Sequence, residues 1–156
     1  MIMVDTHVLV WSVADPGRLS QTADRAIRRA RRADGVAIAS ITLWELASLF
    51  WRGRLQGRGT VDASIRLIPD ATGFILRPIT AEIASLATQF PDSCPKDRAD
   101  RLTGATARAE GTTLATPPSV RKGFYHRGTE NREEDAVSRW LYTCFYQLLC
   151  LILASV

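Results

Sequence analysis

Histidine is scarce in this chain: His7 and His126 are the only two among 156 residues. Two histidines without a patterned partner supply neither a zinc site nor a hydrolytic triad. Cysteine is sparse too. Cys94, Cys144 and Cys150 are odd in number and form no C-x-x-C, which speaks for free thiols in a reducing compartment and against a disulfide frame. The sequence contains no G-x-x-x-x-G-K-[ST] and no G-x-G-x-x-G, so the glycine loops of nucleoside triphosphate and dinucleotide sites are missing. The opening Met-Ile-Met-Val-Asp lacks a basic n-region and an apolar h-region. No signal peptide is expected, and the expected address is cytoplasmic. There is no internal repeat and no low-complexity tract.

What is present is the balance of a folded domain. Apolar residues make up 46% and charged residues 23%, and a chain of this length buries roughly 68–70% of its unfolded surface without help from a metal or a disulfide. The formal net charge is +4 and the pI about 9.3. Arginine supplies 18 of the 20 cations. Its fork suits phosphate, although a GC-rich genome also enriches it.

Composition shifts near residue 118. Residues 1–118 hold six aromatics, all Phe or Trp, whereas residues 119–156 hold six more, including all three tyrosines. Pro117-Pro118 marks the break. Residues 1–118 are expected to form one domain, followed by a divergent tail over 119–156.

Within the first part, apolar runs alternate with helical sequence. Ile2-Met3-Val4, Val36–Ala39, Phe74-Ile75-Leu76 and Thr113–Thr116 are the strand candidates. Helices are expected over 21–33 behind Ser20, from Thr42 to just before Gly53, over 61–68, from Thr80 to about Gln89, and from Asp97 or Arg98 to about Glu110. Short strands separated by helices pair in parallel through right-handed crossovers. The fold class is therefore α/β, a small, mainly parallel sheet with helices on both faces. Ligands of such sheets sit beyond the carboxyl ends of the strands, where Asp5, Ser40 and Thr116 fall.

Three acidic positions stand out. Asp5 follows the first strand, and it reads either as a crevice carboxylate or as a turn-forming residue. Thr42-Leu43-Trp44-Glu45 has the spacing of a capping box, with the same glutamate able to face the crevice. Asp97 suits an N-cap, which places Asp100 in the first turn of the last helix. Carboxylates gathered at one crevice repel one another unless a cation joins them. Oxygen ligands without a His or Cys set suit Mg²⁺ or Mn²⁺, and such a metal serves phosphodiester chemistry.

Three blocks carry a resemblance: Val4-Asp5-Thr6-His7-Val8-Leu9-Val10-Trp11, Ser40-Ile41-Thr42-Leu43-Trp44-Glu45-Leu46, and Asp97-Arg98-Ala99-Asp100-Arg101-Leu102 with Ala105-Thr106-Ala107. In this order they resemble the PIN-domain family, and within it the VapC-type toxins of bacterial toxin–antitoxin pairs. The resemblance implies a PIN-like three-layer sandwich and a Mg²⁺-dependent endoribonuclease inhibited by a cognate antitoxin. It implies Asp5, Glu45 and Asp100 as catalytic metal ligands, supported by Thr6, Asp97 and Thr116. One departure stands out. The family continues its last strand with Thr, one residue, then Asp, whereas this chain reads Thr116-Pro117-Pro118. The fourth acidic ligand is absent, and impaired activity is expected.

Two other functions compete: a non-catalytic PIN remnant that binds antitoxin or RNA, and a receiver- or phosphatase-like domain with Asp5 as phospho-acceptor. Leu43, Trp44, Leu49, Phe50 and Trp51 offer more apolar surface than one buried stripe uses, so a protein interface is expected, with an antitoxin or in a homodimer. Trp140–Val156 is an uncharged apolar run of seventeen residues, at the lower edge of what a membrane span needs. No membrane association is the default expectation. A reading-frame change near Thr116–Pro118 accounts for the lost carboxylate, the composition shift and the unpatterned charged stretch 127–139.

Overall fold

The computed structural model describes residues 1–57, 59–92 and 94–117. The expected tail at 119–156, its apolar end and the proline at 118 lie outside the described residues. Four strands, β1 (Ile2–Val4), β2 (Val36–Ala39), β3 (Ile75–Arg77) and β4 (Thr113–Ala115), form one sheet in the order β3-β2-β1-β4. Every pairing is parallel: Ile2 lies opposite Val36 and Thr113, and Ala37 opposite Ile75. All four carboxyl ends therefore open on one edge.

The two central strands are buried on both faces, and their alternation builds two cores. Ile2, Val4, Val36 and Ile38 point to one side. That side is covered by α1 (Thr6–Ala14), α2 (Gln21–Arg32), α3 (Ile41–Trp51) and α4 (Val61–Thr72) through Leu9, Ile27, Leu46 and Ile68. Leu46 is fully buried, which contributes about 1.5–3 kcal/mol relative to an exposed leucine. Met3, Ala37 and Ala39 point to the other side and meet Ala107 of α6 (Arg98–Ala109). Ala105 of α6 joins Ile83 and Ala87 of α5 (Ala81–Thr88) in a further cluster. Small residues on both α6 and the sheet let the helix approach closely. The result is a three-layer α/β sandwich, as the strand and helix pattern implied.

Several expectations need correction. No helix was expected directly after β1, yet α1 begins at Thr6. Its nine residues are too uniformly apolar for a one-sided pattern, because helix and strand are packed on several sides. The third strand is Ile75–Arg77 rather than 74–76, and the fourth ends at Ala115. α4 runs through Pro69 to Thr72 instead of stopping at Ile68. Pro69 has no N–H for the Ile65 carbonyl, and in the following turn the Ile68 carbonyl accepts from the Thr72 hydroxyl at 2.7 Å. Gly73, left-handed at φ 66°, then closes the helix by donating its N–H to Pro69 O.

Candidate active site

Asp5 is the first residue past β1 and the N-cap of α1. Its backbone N–H still belongs to the sheet, donating to Ala115 O at 3.1 Å. Its side chain is 6% exposed. Oδ1 accepts the Val8 N–H at 2.8 Å, and Oδ2 accepts the Thr116 hydroxyl at 2.6 Å. Thus one carboxylate ends a strand, starts a helix and binds the residue that follows β4. Burial raises its pKa above the ordinary 3.8, while the Thr116 and Val8 hydrogen bonds and the His7 ring oppose the rise.

Glu45 sits in the second turn of α3, half-buried. The capping-box expectation fails. Ser40 is the N-cap, no side-chain cap bond forms, and among the described residues Thr42 Oγ1 is buried without a hydrogen-bond partner. Glu45 instead reaches across to α1, where its Oε2 accepts the Thr6 hydroxyl at 2.5 Å. The box spacing was present, but Ile41 already occupies helical backbone, so Thr42 lies inside the helix. Burial raises the Glu45 pKa above 4.5; the Thr6 bond opposes this and Asp100 adds to it.

Asp97 caps α6 as expected, with Oδ1 accepting from Ala99 N at 2.8 Å and Asp100 N at 3.2 Å. Asp100 follows in the first turn, half-buried. Its pKa is pushed up to about 6 by burial, and then by the negative charges of Asp97 and Asp5. Asp100 thus feels the charges of Asp97 and Asp5, and Glu45 those of Asp100 and Asp97.

His7 is exposed in the first turn of α1, and its ring favours the charged forms of Asp5, Glu45 and Asp100. Its position two residues after the strand-end aspartate was the available signal. Cys94, by contrast, is buried and in no disulfide among the described residues.

The donor chemistry fits a hard divalent cation. The groups are oxygen donors, and the repulsion that neighbouring acids exert on Asp100 and Glu45 is what a cation relieves. Among the described residues no three His, Cys, Asp or Glu side chains form a closed metal-holding group. Mg²⁺ does not require one, since it commonly binds through one or two carboxylates, keeping water and substrate phosphate as its other ligands.

With this geometry in view, comparisons with known proteins agree. A family model described as PIN domain matches residues 2–117. The chain is 36% identical over 115 residues to Ribonuclease VapC22 of Mycobacterium tuberculosis (strain ATCC 25618 / H37Rv), covering 74% of this chain and 85% of that protein. The fold is similar to the crystal structure of VapBC2 from Rickettsia felis bound to a DNA fragment from their promoter, with TM-score 0.54 and 19% identity over 74% of this chain and 86% of that one. It is also similar to a toxin–antitoxin complex from Klebsiella pneumoniae, with TM-score 0.53 and 18% identity over 81% of this chain and 92% of that one. The sheet, the acidic edge and these likenesses converge: the chain belongs to the PIN domain family.

Proposed function

We propose that this protein is a VapC-type endoribonuclease, the toxin of a toxin–antitoxin pair, using Mg²⁺ or Mn²⁺. The observation that carries the reading is that Asp100 feels the charge of Asp5 and Glu45 that of Asp100, three carboxylates from separate segments beside the carboxyl edge of a parallel sheet. The name of the relative, a ribonuclease, supports it. Asp5, Glu45 and Asp100 would hold the cation. When bound, the metal lowers the pKa of a water and stabilises charge on a phosphodiester. The remaining roles belong to the chain itself. The Val8 N–H and the Thr116 hydroxyl fix the Asp5 carboxylate, Thr6 orients Glu45, and the Asp97 cap fixes the turn that carries Asp100.

The family's fourth acid is replaced by Pro118, so we take cleavage to be impaired rather than lost. The proposed partners are a cognate antitoxin, a second copy of the chain and RNA, in the cytoplasm. Among the described residues no helix is long and apolar enough to cross a membrane. We take the domain to end at residue 118, with 119–156 a divergent tail. RNA cleavage with and without Mg²⁺, comparing wild type with Asp5→Asn, tests the reading. Metal-dependent cleavage that Asp5→Asn abolishes supports it. No cleavage, together with no binding of Mg²⁺ or Mn²⁺ at millimolar metal, leaves a non-catalytic remnant.

A further inference from the structure

The positive charge of the protein is concentrated on one helix. α2 carries Arg25, Arg28, Arg29, Arg31 and Arg32 against a single acid, Asp24. Five cations and one anion leave +4, which equals the formal net charge of the whole chain. Usage spread evenly by genome composition would not gather the entire excess in twelve residues.

Packing decides which way these side chains face. Ile27 is buried in the core, and Ala26 and Ala30 pack against it. The five arginines are exposed. Arg28 pairs with Asp24 at 2.8 Å, and the Arg31 guanidinium lies 5.1 Å from the centre of the Phe74 ring. Arg25 Nε donates to Gln21 O at 3.2 Å. Arg29 and Arg32 have no hydrogen bond or ion pair among the described residues. Arg25, Arg28, Arg29 and Arg32 line one concave stretch of surface. At 1.5 Å per residue they extend over about 10 Å of helix. Like charges three and four residues apart repel along such a face, and a bound polyanion removes that repulsion.

The position is away from the carboxylates. α2 leads into the start of β2 through Gly35, whose carbonyl accepts the Ile2 N–H at 3.3 Å. Its arginine-rich end therefore stands at the amino edge of the sheet, whereas Asp5, Glu45 and Asp100 occupy the carboxyl edge.

We propose that the arginine face of α2 is a second binding site, a cradle for the phosphate backbone of RNA, separate from the acidic crevice. The proposal rests on RNA being the substrate class in the reading above. Guanidinium forks bind phosphate through paired N–H donors. No aromatic side chain lies in α2 to stack a base, so the site reads backbone charge and not sequence. It holds a long RNA across the molecule while another part lies at the carboxylates.

The test is binding of a fluorescently labelled single-stranded oligoribonucleotide to the full chain, by anisotropy over a range of salt in EDTA. The variants are Arg25→Gln/Arg29→Gln/Arg32→Gln, the same positions changed to Lys, and Arg52→Gln/Arg54→Gln/Arg108→Gln as a charge-matched control on other exposed arginines. Glutamine and lysine keep helix propensity close to that of arginine. The α2 glutamine variant is expected to bind about tenfold more weakly. Its slope of log K against log salt should be shallower by about 2, from three lost single-strand phosphate contacts. The lysine variant should keep the wild-type slope, and the control should lose less than the α2 variant. An unchanged slope and affinity in the α2 glutamine variant, an equal loss in the control, or no RNA binding by wild type overturns the proposal. Because EDTA removes the need for cleavage, a chain that binds but never cuts would sink the nuclease reading while leaving this one standing.

Discussion

The Thr116 hydroxyl donates to Asp5 Oδ2 at 2.6 Å, joining residues 111 apart in sequence. Both follow strands that pair in register, Val4 opposite Ala115, so the sheet itself delivers the donor to the carboxylate. A buried carboxylate depends on such donors. Thr116→Val keeps the shape and removes the hydroxyl. It should destabilise the fold by about 1.5–3 kcal/mol while the carboxylate is ionised, with the loss shrinking as falling pH protonates Asp5. Urea unfolding at pH 7 and pH 4 checks this; equal stability of variant and wild type at both would refute the role given to Thr116.

Asp100 makes stability depend on pH and on metal. Its folded pKa, about 6, lies above the ordinary 3.8, so the folded state holds the proton more tightly than the unfolded state. The resulting stability is fully present below about 3.8 and is lost as pH rises through about 6. In EDTA, Tm measured across this window should fall with rising pH, and Asp100→Asn should flatten the fall. Mg²⁺ at neutral pH should raise Tm of wild type and not of Asp100→Asn. A Tm insensitive to Mg²⁺ in wild type would count against metal binding.

Glu45 acts by its charge. A capping box would accept Gln as well as Glu here. In the observed geometry the side chain binds Thr6 and caps nothing. Glutamine keeps an acceptor for Thr6 and removes charge beside Asp100. Thermal unfolding in EDTA should therefore show no fall in Tm for Glu45→Gln, while cleavage is lost. A clear fall in Tm would refute the role given to the Glu45 charge.

Asp97 acts through backbone. Asp97→Ala deletes the two cap bonds and should cost about 0.5–2 kcal/mol, whereas Asp97→Asn keeps an acceptor for Ala99 N and Asp100 N. Comparing the two by urea unfolding isolates the cap. Similar destabilisation by both would assign the effect to charge instead.

Trp44 and Trp51 lie two turns apart on α3 and are 63% and 83% exposed, while Phe50 is buried. The expected apolar excess on this helix is thus real at two of its five residues. If α3 mediates self-association, Trp44→Ala/Trp51→Ala should shift a dimer to a monomer by light scattering, without changing the circular dichroism spectrum. A wild-type monomer would leave α3 without this role.

Local chemistry was readable at Ser20, Thr80 and Asp97, which cap helices by bonds to backbone N–H groups two or three residues on, since such bonds depend on nearby spacing; the box spacing at Thr42–Glu45 was the local signal that misled. The alternation of apolar strands and amphipathic helices was enough for a parallel α/β sandwich. It did not reveal α1, whose apolar residues carry no clear period, nor the passage of α4 through Pro69.

The sequence by itself determined which residue types could meet: strand-end acids, a threonine after the last apolar run, and a helix loaded with arginine. Tertiary structure alone decided the pairings. Glu45 turned from its own helix end to Thr6 because α1 and α3 pack side by side against the same sheet face. Asp5 met Thr116 because β1 and β4 are neighbours in the sheet, although they stand near opposite ends of the described chain. Hydrogen bonds and charge repulsion act over a few ångströms, and only the folded sheet brings such distant residues within that range.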